Sequence, residues 1–174
     1  MNSNTVYEVF SATCVEFGSH PFLHIPENAA SYDTGSIDSS YQESLVAIDS
    51  LADNYKDAGY KTDTRIGLFL ENRLDFFHHW LALNKLGCSV IPLHPDMQSG
   101  EISYFLEHGE AALVVSLPYK KKKLQDVCSK IKNRPPVIST EDFPDVPPAK
   151  SNFDKNDLPS GSTECALLYT SGST

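Results

Sequence analysis

The residues with the most chemical potential lie in one short stretch, Ala166-Leu167-Leu168-Tyr169 followed by Thr170-Ser171-Gly172-Ser173-Thr174. An apolar run of strand length opens into five small residues, four of which carry hydroxyls. Gly172 tolerates left-handed backbone dihedrals, so such a loop can turn successive N–H groups inward. The hydroxyls of Thr170, Ser171, Ser173 and Thr174 would add donors without bulk or charge, a set suited to surrounding phosphate oxygens. The G-x-x-x-x-G-K-[ST] spacing of a Walker loop is absent. On composition alone, a Ser/Gly tail without function reads equally well. The elements that would have to carry the loop therefore decide between the two.

Those elements are legible upstream. Thr5-x-x-Glu8 has capping-box spacing and opens a helix with Val6, Val9, Phe10, Thr13 and Phe17 on its apolar face, stopped at Gly18. Phe22 to Ile25 and Ser36 to Asp38 read as the strands of a hairpin with a long turn-rich loop between them. A second capping box, Ser40-x-x-Glu43, opens a helix that buries Leu45, Ile48, Leu51 and Tyr55 and ends at Gly59.

The middle of the chain alternates regularly. Apolar runs at 65–70, 89–93, 111–115 and 137–139 are separated by helical patterns. The first of these helices is expected to be capped by Asn72, with Phe76, Phe77, Trp80, Leu81 and Leu83 packing it up to Gly87. The second is expected to be capped by Ser99, with Ile102, Phe105 and Leu106 inward and a stop near Gly109. The third starts at Lys120-Lys121-Lys122-Lys123 and turns Leu124, Val127 and Ile131 inward. Strand–helix alternation of this kind predicts an α/β fold, a mostly parallel sheet with helices on both faces. Continuous apolar strands fit a sheet covered on both sides. Residues 140–163, rich in Pro, Asp and Ser, read as a long loop crossing the surface towards a second sheet.

Composition removes several function classes. At 174 residues the chain can bury a substantial core. A net charge of −9, from 23 acidic against 14 basic residues, argues against a nucleic-acid partner. The four-lysine run reads as the solvated first turn of a surface helix. No apolar run is long enough for a membrane span, and the first residues lack the pattern of a secretory signal. Cys14, Cys88, Cys128 and Cys165 are scattered, which fits a reducing, cytoplasmic setting rather than a disulfide framework or zinc site. His78 and His79 are adjacent on one helix and face different directions, so they do not form a metal pair. Trp80 with Phe76 and Phe77 reads as core packing. His94 lies in a loop after a strand, a common place for ligand contacts, without other support for a catalytic role.

Three ordered segments carry a family resemblance. SSYQESLVAIDSLADNYKDAGYKTDTRIGLFLEN, FFHHWLALNKLGCSVIPLHPDMQSGEISYFLEHGEAALVV and LLYTSGST resemble the opening segment, the second core segment and the start of the phosphate-loop signature of the adenylate-forming (AMP-binding) superfamily. That superfamily holds acyl- and aryl-CoA synthetases, adenylation domains of peptide synthetases and beetle luciferases. The resemblance runs from about Thr5 to Thr174.

It implies ATP-dependent activation of a small-molecule carboxylic acid through an acyl-adenylate, then thioester formation with CoA. ATP, Mg2+ and CoA are the implied cofactors. Thr170, Ser171, Gly172, Ser173 and Thr174 are the implied phosphate-binding residues, with no catalytic residue and no metal ligand carried over. It also implies that the chain is the first part of a larger enzyme, inactive alone, whose remainder is its partner. Residues 1–60 would form a helix–hairpin–helix lead-in, 61–139 the βαβ unit, 140–163 a loop, and 164–174 a strand with the start of the phosphate loop. A helix beginning within a few residues of Met1 favours a free-standing ligase over a peptide-synthetase module. A luciferase-like enzyme and a non-catalytic binding domain on the same scaffold are the alternatives.

Overall fold

The computed structural model describes residues 4–27, 37–150 and 158–169. Its elements are α1 (Val6–Phe17), β1 (Pro21–Ile25), β2 (Ile37–Ser40), α2 (Tyr41–Asp57), β3 (Arg65–Phe69), α3 (Leu74–Lys85), β4 (Ser89–Pro92), α4 (Ser99–His108), β5 (Leu113–Ser116), α5 (Lys121–Cys128) and β6 (Val137–Ser139). Single 3-10 turns precede α5 and follow β6.

Both expected capping boxes are formed. Thr5 accepts from Glu8 N at 3.1 Å while Glu8 accepts from Thr5 N, and Ser40 and Glu43 repeat the exchange at the start of α2. α1 is nevertheless rotated from its expected orientation. It buries Phe10 and Cys14 and leaves Val6, Val9 and Phe17 exposed. Two contacts explain the rotation. Phe10 packs on Phe22 of β1 (ring centroids 4.9 Å apart), and Tyr7 Oη donates to Asp49 of α2 at 2.7 Å. Lys85 of α3 reaches the same carboxylate at 2.9 Å, so three helices meet at Asp49.

β1 and β2 form an antiparallel pair, and the main sheet has the order β4-β3-β5-β6, all parallel. The chain steps from β3 out to β4, then back past β3 to β5 and on to β6. Same-handed crossovers in opposite directions place their helices on opposite faces. Accordingly, Ile66, Leu68, Val90, Leu113 and Val115 pack towards α2 and α3, while Phe69, Ile91 and Val114 pack towards α4 and α5. Gly67 lies under α4, where a Cβ would stand 2.7 Å from Leu106 Cδ2. The expected α/β fold with both sheet faces covered is therefore observed.

Several boundaries differ from expectation. The residue flanking α3 is Arg73 rather than Asn72, and the Arg73 side chain makes no capping hydrogen bond. α4 is flanked by Gln98, whose N–H donates to Glu101 at 2.8 Å, and Ser99 is its first helical residue. Gly59 and Gly87 end their helices at φ of 89° and 75°, as read. Near the end of α4, by contrast, Gly109 stays right-handed and Glu110 takes the positive φ.

The largest departure concerns the last segment. Its described part, residues 158–169, joins the main sheet: Ala166 forms a parallel bridge with Val90 on the free edge of β4. Val90 N donates to Cys165 O at 3.3 Å, and Leu167 N donates to Val90 O at 2.8 Å. The sheet thus gains a fifth, very short parallel member in place of the predicted separate strand.

Candidate functional site

Residues 158–169 bring the chain to the edge of β4 and lead directly into Thr170-Ser171-Gly172-Ser173-Thr174. Those five predicted phosphate-binding residues lie outside the described residues. What the structure does show is how their approach is held. Ser160 and Thr163 close a turn, with Ser160 N donating to Thr163 Oγ1 at 2.9 Å and Thr163 N to Ser160 O at 2.9 Å. Glu164 then receives two bonds from Arg65 of β3, Nε at 2.7 Å and Nη2 at 3.0 Å. This fork holds the Glu164 carboxyl below its ordinary pKa and lifts that of Arg65.

One residue further, Cys165 O accepts from Trp80 Nε1 at 3.2 Å and Asn84 Nδ2 at 3.1 Å in addition to the backbone bond. Beyond the bridge, the Tyr169 ring stacks on Phe105 of α4, with centroids 4.2 Å apart and planes 10° from parallel. Its hydroxyl lies 2.9 Å from His108 Nδ1 and donates to Phe105 O at 3.4 Å. Burial, and then the neighbouring Tyr104, push the Tyr169 phenol above its ordinary pKa, so it stays neutral at physiological pH. Because the bridge is parallel, the segment runs towards the carboxyl ends of the strands, the side where α/β sheets hold ligands.

The other sequence candidates resolve into structural roles. The lysine run is spent locally: Lys121 reaches Asp142 at 2.7 Å, Lys122 reaches Asp126 at 3.5 Å, and Lys123 reaches Met97 O at 3.4 Å. His78 and His79 diverge as expected. His79 is buried with Nδ1 2.8 Å from Tyr55 Oη, and burial drives its pKa down to about 3. His78 Nε2 lies 3.1 Å from Ser44 Oγ. His94 is exposed, and its Nδ1 accepts from Asp96 N at 3.3 Å. Among the described residues no group of three or more His, Cys, Asp or Glu side chains could hold a metal ion. Among them, too, no helix is long and apolar enough to cross a membrane.

Spacing could not have revealed Trp80, Asn84, Arg65, Phe105 and His108 as the framework of this segment. Their partners are 61 to 99 residues away in sequence. A local signal was Asn84, a polar residue among the apolar Leu81, Ala82 and Leu83 of α3.

The sequence model of the AMP-binding enzyme family matches residues 22–174, which include both the segment and the loop it leads into. The chain belongs to the AMP-binding enzyme family. Among its curated relatives, tyrocidine synthase 2 of Brevibacillus parabrevis is 27% identical over 135 residues, 78% of this chain and 4% of that protein. Crotonobetaine/carnitine–CoA ligase of Proteus mirabilis is 29% identical over 77 residues, 44% of this chain and 15% of the ligase. Among solved structures, the N-terminal subdomain of Klebsiella oxytoca NpsA superposes with a TM-score of 0.73 at 18% identity, covering 99% of this chain and 40% of the other. This family member thus spans a small fraction of its curated relatives and about 40% of that solved N-terminal subdomain, whose fold it shares over that part.

Proposed function

We propose that the chain is the N-terminal segment of an ATP-dependent acid–thiol ligase. In this reading a carboxylate oxygen attacks the α-phosphorus of ATP and displaces pyrophosphate. The resulting acyl-adenylate is then attacked at its carbonyl by a thiol, that of CoA, and AMP leaves. Activation is needed because a free carboxylate is a poor electrophile, whereas AMP departs readily. Thr170, Ser171, Gly172, Ser173 and Thr174 surround the β- and γ-phosphates, where fixed donors stabilise charge on the departing pyrophosphate. Residues 1–60, 61–139, 140–163 and 164–174 serve as lead-in, βαβ unit, connecting loop and loop-bearing segment.

The observation that carries this reading is the anchoring of Glu164 to Tyr169. Side chains from β3, α3 and α4 converge on six residues that lead directly into the loop. The approach to a tail without function has no reason to be held by three elements. The four free cysteines, three of them buried, support a cytoplasmic setting.

A second reading is an adenylation domain that passes its acyl group to a carrier-protein thiol. The longer match to tyrocidine synthase 2 favours it, 78% of the chain against 44% for the CoA ligase. The test is acid-dependent exchange of labelled pyrophosphate into ATP by the full-length protein, across a panel of carboxylic acids. Product analysis with CoA present then separates the two readings, since an acyl-CoA forms only in the first. Absence of exchange with every acid would overturn both.

A further inference from the structure

We propose that Trp80 and Asn84 of α3 are positioning residues that set the register of the loop-bearing segment and, through it, the affinity for the ATP phosphates. The proposal rests on the ligase reading above and deepens it.

Among the described residues two backbone hydrogen bonds tie this segment to β4, the pair that brackets Val90. So short a ladder specifies register weakly, yet a one-residue slip would turn every side chain to the opposite face. Leu167 and Tyr169 would leave their sites against α4, and the loop would start one residue out of place. Something other than the ladder must choose the register.

Trp80 and Asn84 are placed to do so. They lie four residues apart on α3, hence on one face, and both donate to the same carbonyl, Cys165 O. That carbonyl also receives Val90 N, so three donors converge on one oxygen. Asn84 spends its second N–H on Cys88 O at 3.1 Å, on the residue that leads into the strand being paired. A single amide thus bridges the two backbones and measures one against the other. Its orientation is fixed, because a flipped amide would set Oδ1 against both carbonyls.

Asn84 is 4% exposed, and its Oδ1 has no partner among the described residues. It lines a cavity of about 70 Å³ shared with Thr5, Gly87, Ser160 and Glu164. An apolar residue at this position of α3 would supply neither N–H. The two N–H groups aimed at Cys88 and Cys165 are what the asparagine supplies.

The test compares the full-length wild type with Trp80→Phe, which keeps an aromatic ring and removes the donor. Asn84→Leu is the second variant, since it removes the donors together with the unmatched acceptor. Amide hydrogen exchange is followed at Val90 and Leu167, alongside KM for ATP and for the acid. In both variants exchange at these two amides should accelerate, with other amides of the sheet unchanged. KM for ATP should rise by on the order of fivefold, as for loss of one net hydrogen bond, and KM for the acid should not move.

Unchanged exchange and unchanged KM for ATP in both variants would overturn the proposal. Acceleration spread over the whole sheet, or equal rises in both KM values, would reduce the residues to a structural role and overturn it as well. A wild type inert towards ATP would overturn the ligase reading on which it rests. That outcome is told apart because the wild type, rather than a variant, fails.

Discussion

At the residue scale, the side chains around the candidate site act by holding backbone rather than by meeting ligand. The Arg65–Glu164 fork is one case. Because pairing depresses the Glu164 pKa in the folded state, its contribution is present above the unfolded carboxyl value and fades as pH falls through the folded one. Both partners are partly exposed, which limits the pair to about 1 kcal/mol or less. Thermal melts of wild type and Glu164→Gln should therefore differ at pH 7 and converge below pH ~4; a constant difference would refute the assignment.

His79 gives the opposite kind of pH dependence. It stays neutral when buried, with a pKa of about 3, whereas the unfolded chain takes up a proton near pH ~6.5. Stability should fall as pH drops from that value towards about 3. The slope should be shallower in His79→Gln, which keeps a partner for the Tyr55 hydroxyl. Within the loop itself, Gly172→Val should raise KM for ATP at least tenfold, roughly the loss of one charge-assisted contact. An unchanged value would remove Gly172 from the site.

At the scale of elements, capping chemistry and periodicity decided much of what could be read. Thr5, Glu8, Ser40 and Glu43 announced both capped helices, because a capping box is a local exchange of hydrogen bonds. Thr5→Ala should accordingly cost about 1 kcal/mol in denaturant unfolding, and a change below the error of the measurement would count against the cap. The face of α1 was not legible. Val6, Val9 and Phe17 have the periodicity of a buried stripe, yet Tyr7 and Phe10 find better partners in Asp49 and Phe22, which are remote in sequence. The return of Ala166 to β4 escaped for the same reason, since nothing near it names Val90 as its neighbour. Gly67 shows how tightly the elements fit: Gly67→Ala should cost about 1–3 kcal/mol, because the new methyl would meet Leu106. Wild-type stability in that variant would mean that α4 has room to shift.

At the scale of the whole molecule, strand–helix alternation gave the fold class, and three ordered motifs gave the family, because both are written in long stretches of sequence. The closing motif was legible in the sequence, whereas the framework of residues 164–169 before it was not, because that framework exists only after α3, α4 and β3 have been assembled around those residues. Val9 is 55% exposed, Val46 63% and Leu168 71%, large apolar side chains that meet solvent on α1, α2 and the last segment. If the rest of a longer enzyme packs on this part, residues 1–174 expressed alone should be poorly soluble, and a sharp, reversible monomeric transition would speak against that. For the chemistry, the most direct measurement uses the full-length protein and a carboxylic acid labelled with oxygen-18 in its carboxyl group. Attack by the carboxylate on the α-phosphorus transfers one of its oxygens to AMP, so mass spectrometry of the nucleotide product should find AMP carrying a single heavy oxygen. Unlabelled AMP, or ADP as the product, would contradict the acyl-adenylate route.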